Sequence, residues 1–194
     1  MNTAHKTVGK AFGRRLALGA VAGVAALALA APTALADDGG HDDDRRIRAA
    51  GPLQDLRLAP PPPPAPADPT DGATAQVKVE QEDGETEVSL KIQGLGRGSA
   101  GLQFGAHVHV GPCVAGNGGA AGRHFNITGG SAPANEETEV WLDFVIGRNG
   151  TARAEAEVPF VIPPGGAGSV VIHINPTDPK GGAGARIACL PVQF

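Results

Sequence analysis

The chain has 194 residues, with 16 Lys and Arg against 20 Asp and Glu and a formal charge of −4, enough for one domain of ordinary size plus appendages. Four of the basic residues, Lys6, Lys10, Arg14 and Arg15, stand in the first 15 positions, so the remainder is acidic and does not read as a nucleic-acid binder. Glycine is abundant, at 29 residues, so short glycine motifs arise cheaply by chance, and aromatic residues make up only 4%.

The basic start is followed by an apolar stretch from Leu16 to Ala31 and by Ala34-Leu35-Ala36, the pattern of a signal peptide over residues 1–36. A retained membrane anchor is the alternative, disfavoured by the shortness of the run and by Pro32 at its end. Arg14-Arg15 keeps both general and twin-arginine export open. No other segment is long and apolar enough to span a bilayer, so the product is expected to be exported: secreted, periplasmic or associated with the cell surface.

Residues 37–72 carry Asp42-Asp43-Asp44-Arg45-Arg46 and the prolines 60 to 64 and 66. That composition predicts a disordered, charged and Pro-rich linker. His41 belongs to this solvated tail.

From about residue 73 alternation and turn residues take over. Strands are expected at Ala75–Glu82, Thr86–Gly94, Gln103–Val110, Thr138–Ile146, Thr151–Pro159, Ser169–Ile174 and Ala185–Phe194, with hairpin signals at Asp83-Gly84 and Asn149-Gly150. Seven or eight short strands in residues 73–194 predict an all-β antiparallel sandwich or flattened barrel. Phe125, Trp141, Phe144, Phe160 and Phe194 are assigned to its core or rim.

Cys113 and Cys189 are the only cysteines, and in an exported chain they read as one disulfide. It would close a loop of about 75 residues, worth roughly 4 kcal/mol in the chain-entropy estimate.

Several motifs carry little. Gly96-Arg97-Gly98-Ser99-Ala100-Gly101 fits a dinucleotide fingerprint but precedes a strand instead of opening a helix. No serine sits in a nucleophile context. Asn126-Ile127-Thr128 and Asn149-Gly150-Thr151 are unspecific sequons.

The histidines are different. In Ala106-His107-Val108-His109-Val110 the side chains alternate, so both imidazoles leave the face opposite Ala106, Val108 and Val110. His173, in Val170-Val171-Ile172-His173-Ile174, repeats the arrangement. With His124 they predict a metal centre outside the apolar core, under loops. An all-imidazole donor set leans toward copper, with zinc as runner-up.

Gly105-Ala106-His107-Val108-His109, Cys113, Gly122-Arg123-His124-Phe125-Asn126, Val170-Val171-Ile172-His173 and Gly181-Gly182-Ala183-Gly184-Ala185-Arg186-Ile187-Ala188-Cys189 occur in that order. In this the region 73–194 resembles the copper/zinc superoxide dismutases. The resemblance implies a Greek-key β-sandwich, copper ligation by His107, His109 and His173, and His124 as the residue that bridges the two metals. It also implies superoxide as substrate, Arg186 as the arginine that draws the anion in, and the Cys113–Cys189 disulfide.

The departures matter as much. No histidine lies between His124 and Trp141, and Asp143, the nearest candidate for the zinc aspartate, reads as an outward strand residue. Only twelve residues separate His173 from Arg186, too few for a long guiding loop. This pattern resembles the zinc-free, copper-only branch: one copper, zinc doubtful, and His124 free to help deliver a proton. A non-catalytic exported copper-binding protein is the second expectation. Zinc hydration chemistry of the carbonic-anhydrase type and a cupin site fit less well. Oligomeric state is left open.

Overall fold

The computed structural model describes residues 44–57 and 68–194; the predicted leader and the prolines between positions 58 and 67 lie outside them. Ten strands are present among the described residues: β1 Arg45–Pro52, β2 Gln54–Asp55, β3 Thr74–Glu82, β4 Glu85–Gln93, β5 Gln103–Phe104, β6 Ala106–His109, β7 Phe144–Val145, β8 Thr151–Val158, β9 Ser169–His173 and β10 Arg186–Pro191. They form an antiparallel β-sandwich. One sheet runs β1-β3-β4-β8, the other β2-β10-β9-β6, and β5 and β7 make a two-stranded ribbon.

The first sheet follows the alternation of its sequence. Ala75, Val77 and Val79 of β3 and Val88, Leu90 and Ile92 of β4 are buried, with charged or polar residues between them facing outward. The β3–β4 hairpin turns at Asp83 and Gly84, both at positive φ (54° and 85°), the left-handed pair that a two-residue turn demands. At Asn149-Gly150 only the glycine takes positive φ, and the turn closes through Gly147 N–H to Thr151 O at 2.8 Å. Phe104, Phe125, Phe144, Phe160 and Phe194 join the apolar core between the sheets, while Trp141 is half-buried at its edge.

Two expected strands are broken. The Gln103–Val110 run divides at Gly105, where β5 pairs with β7 and β6 pairs with β9. A Cβ on Gly105 would lie 2.8 Å from Ala183 Cβ and 2.9 Å from Thr177 Oγ1, so glycine is what lets the loop after β9 close on this corner. The Thr138–Ile146 run forms strand pairing only at β7. The rest runs beside β6 through single bridges such as His107 to Trp141, with Leu142 N–H donating to Ala106 O at 2.7 Å.

The linker expected at 37–72 is corrected over its described part. Residues 45–52 pair with β3 along their whole length, from Arg45 opposite Gln81 to Pro52 opposite Thr74, and β2 pairs with Ala188 and Cys189 of β10. Arg45, Ile47, Ala49 and Gly51 share the partly buried face, and of these Ile47 and Ala49 pack on the core, so the apolar signal is faint. As an edge strand, β1 tolerates arginines and a terminal proline that a central strand would not. The sandwich domain therefore begins ahead of residue 73.

The expected disulfide is present. Cys113, in the loop after β6, joins Cys189 of β10 across 76 positions, beside Leu56, Ala121 and Val171. Replacing both cysteines by Ala is expected to cost about 4 kcal/mol of unfolding free energy, from the long loop released. Urea unfolding under oxidising conditions measures it; a loss below about 1 kcal/mol would mean that the unfolded chain is not constrained by this loop.

Candidate metal centre

β6 and β9 turn Val108, Val170 and Ile172 into the core and present His107, His109 and His173 on the other face. That face is not open. The loop between β6 and β7 and the loop between β9 and β10 cover it, leaving His107 and His109 0% and His173 3% exposed. His124, brought in by a bridge to His109, keeps an 18% exposed side chain. One ligand atom from each of the four can be chosen so that all lie within 4.8 Å of one another. The expected position, outside the core and under loops, is where the structure places the cluster.

The hydrogen bonds assign the protons. Thr177 Oγ1 donates to Asp143 Oδ1 and its backbone N–H donates to Oδ2 at 2.7 Å. The hydroxyl proton being used, Oγ1 accepts from His107 Nε2–H at 2.7 Å, which leaves the lone pair on His107 Nδ1. His109 and His173 donate through Nδ1 to the carbonyls of Gly122 (3.1 Å) and Gly184 (3.0 Å). Their lone pairs therefore sit on Nε2. His124 donates through Nδ1 to Glu139 Oε2 at 2.9 Å.

Each imidazole thus spends one nitrogen on the protein and keeps the other, the arrangement expected of metal-ligating histidines. Two observations show that the set fits a cation. His107 Nδ1 is buried with no hydrogen-bond partner, a cost not otherwise repaid. His109 Nε2 and His173 Nε2 face each other at 3.2 Å, two acceptors that repel unless something positive lies between, at a spacing suited to donors roughly 2 Å from a shared ion.

Burial, with smaller contributions from neighbouring imidazoles and Arg186, pushes the histidine pKa values down, to about 2 for His107, about 3 for His109 and about 4 for His173. All three are neutral at neutral pH and available as ligands.

Glu139, which the sequence reading did not single out, is the main addition. It is 5% exposed and accepts from His124, from Trp141 Nε1 at 3.1 Å and from Asn126 Nδ2 at 3.2 Å. Burial alone would raise its pKa, but these hydrogen bonds outweigh it and hold the carboxyl below the usual range. Glu139 stands where the missing histidines would otherwise have been sought. Its signal was available: alternation of Val140, Leu142, Phe144 and Ile146 inward puts Glu139, Trp141 and Asp143 together on the histidine side. Asp143 does point outward as expected, but it is half-buried and holds Thr177 in place against His107.

Arg186 is half-buried, its guanidinium donating from Nη1 to Gly118 O at 2.6 Å. With Arg123, His124, Glu139 and Lys180 it lines a pocket of about 420 Å³. His124 is the member of the cluster that lines this pocket, and Arg186 lines it too.

Fold and site together define an all-β protein that gathers four histidines over one sheet of a sandwich, beneath a cationic pocket. The sequence model for copper/zinc superoxide dismutase matches residues 73–190, and the chain belongs to that family, whose substrate is superoxide. Its fold is similar to that of the crystal structure of a double mutant of a SOD-like protein from Bacillus subtilis. The TM-score is 0.51 at 18% identity, covering 77% of this chain and 97% of that one. No curated protein matches the chain. Among the described residues no helix is long and apolar enough to cross a membrane.

Because the three buried histidines stay neutral when folded and take protons when unfolded, unfolding is favoured as the pH falls below about 6.5. The metal-free protein is expected to be most stable above that pH. It should lose stability down toward the folded values, by up to about 1.4 kcal/mol per pH unit for each histidine. Urea unfolding of metal-free protein from pH 7.5 to pH 5 checks this; a flat profile would contradict it.

Proposed function

We propose that this is an exported superoxide dismutase, converting superoxide to oxygen and hydrogen peroxide at a single copper held by His107, His109, His173 and His124. The observation that carries the reading is the set of four imidazoles, each with one nitrogen committed to the protein and the other turned toward a common point. Bound copper would supply one-electron chemistry, accepting an electron from one superoxide and returning it to a second while two protons are consumed. Imidazole-only donation favours copper over harder ions.

The chain's own residues supply the rest. Arg186 offers a fixed positive charge beside the histidines, where an anion entering the pocket meets it. Arg123 and Lys180 extend that positive rim, in a molecule otherwise acidic and without a long guiding loop. Positive charge at the mouth of a site raises the encounter rate of an anion.

His124 keeps a solvent edge, and with its Nδ1 proton held by Glu139 its Nε2 is the nitrogen that would take up and deliver a proton at the pocket whenever it is not bound to copper. The same contact occupies the nitrogen that a second metal would need. Glu139 is a carboxylate already committed to three donors, so the reading includes copper and omits zinc.

Export rests on the leader-like residues 1–36 and on the disulfide, which suits an oxidising compartment. The second reading, a non-catalytic copper-binding protein of the same fold, is favoured by one observation: His107, His109 and His173 are closed off from solvent, as suits a tight store. Metal analysis with turnover separates the two. The proposal expects one copper and no zinc per chain, with superoxide consumed; one copper without consumption would establish the store instead.

Replacing Arg186 by Glu is expected to lower the rate at low ionic strength at least tenfold while copper content stays at one per chain. Stopped-flow decay of superoxide reads the rate. An unchanged rate would remove Arg186 from the reaction.

A further inference from the structure

Arg186 donates to a carbonyl, and the loop that bears this carbonyl is bonded through its N–H groups to a segment ahead of residue 73, outside the part of the chain that the family model matches. Arg186 donates to Gly118 O at 2.6 Å. The N–H of Gly118 donates to Leu56 O at 3.3 Å, Gly116 N–H donates to Asp55 O at 2.9 Å, and Leu56 N–H donates to Ile187 O at 3.0 Å. Residues 54–57 thus clasp both sides of the arginine, the loop that accepts from it and the strand residue that follows it. The fit is close. A Cβ on Gly118 would lie 3.4 Å from Arg186 Cβ and 3.6 Å from Leu56 Cβ.

The clasp has its own lock. Arg57 Nη2 meets Asp55 Oδ2 at 3.0 Å, Asp68 Oδ2 at 3.0 Å and Asp71 Oδ1 at 3.2 Å. Asp68 has a 2% exposed side chain. Its other oxygen accepts from Thr70 N–H at 2.7 Å and from the Thr70 hydroxyl at 2.6 Å. Breaking a pair that includes a buried carboxylate is costly, and among the described residues Asp68 has no other cationic partner. The lock therefore ties residues 54–57 to the turn that leads into β3, independently of the short β2 pairing.

We infer that residues 54–57 are a positioning strap for Arg186, and that Arg57, far from a spacer residue, is a positioning residue for the anion step. The inference rests on the role given to Arg186 above. Its physical basis is that a guanidinium only part-covered by protein keeps a single orientation when its acceptor is fixed; a mobile Gly118 carbonyl would let the charge swing into solvent, where it is screened.

The test has two parts, so that failure of the strap and failure of the superoxide reading are told apart. In metal-free protein, Arg57→Gln is expected to raise amide hydrogen exchange at Gly116 and Gly118 at least tenfold, leaving β3 and β4 unchanged, with Arg57→Lys in between. In copper-loaded protein, Arg57→Gln is expected to lower superoxide turnover three- to tenfold at low ionic strength with copper content unchanged. On an Arg186→Gln background, adding Arg57→Gln is expected to have no further effect, the non-additivity of two residues acting as one unit. Unchanged exchange at Gly116 and Gly118 overturns the strap whatever the turnover. Faster exchange with fully additive losses overturns its action through Arg186. Should Arg57→Gln fail to fold, Asp55→Asn, which weakens the ion pair with Arg57 and leaves the Asp55 carbonyl and the buried Asp68 in place, takes its place with the same expected pattern.

Discussion

An imidazole has two ring nitrogens, and gathering four imidazoles on one face of a sheet, three of them buried, obliges the protein to find a use for eight. Much of this molecule's local architecture follows from that constraint. Gly122 O, Gly184 O, Thr177 Oγ1 and Glu139 each take one N–H. These acceptors lie on the loops that cover the face. The loops are therefore held down by the histidines as much as the histidines are oriented by the loops, while among the described residues His107 Nδ1 is left without a partner and the Nε2 atoms of His109 and His173 face each other.

The same constraint accounts for the corner at Gly105 and for the interruption of two strands. A continuous strand from 103 to 110 would carry a side chain at the place where the loop bearing Thr177 must descend. Likewise the run from 138 to 146 gives up regular pairing, yet stays beside β6 closely enough for Glu139 to reach His124 and for Asp143 to hold Thr177. Regular sheet is sacrificed where side chains must meet across loops, and retained in β3, β4 and β8, which only pack. The pocket beside His124 is lined by Arg123, Lys180 and Arg186 together with Glu139, whose carboxylate is already held by three donors, so the free charge it presents is mainly positive.

Strand order and site chemistry were legible to different degrees. β3, β4, β8 and β9 show plain alternation or a short apolar run, and the structure follows them closely. β1 was hidden because an edge strand with three arginines and two alanines resembles a solvated linker until its partner is known. His107 and His109 announced themselves by spacing, and His124, His173, Arg186 and the cysteines by their order in a longer string. Glu139, Thr177 and Leu56 had no comparable mark. Each acts through one hydrogen bond to a residue brought near by the fold, and a glutamate, a threonine or a backbone carbonyl looks the same in sequence whether or not such a bond exists.

What the sequence determined by itself is the class of fold, the face of the strand on which the imidazoles lie, and the pairing of its two cysteines, since alternation and residue counts are local or exhaustive. Tertiary structure alone decided which nitrogen of each histidine is committed, that Glu139 occupies His124, and that a segment read as linker reaches the arginine. Those depend on distances between residues far apart in the chain, which periodicity does not encode.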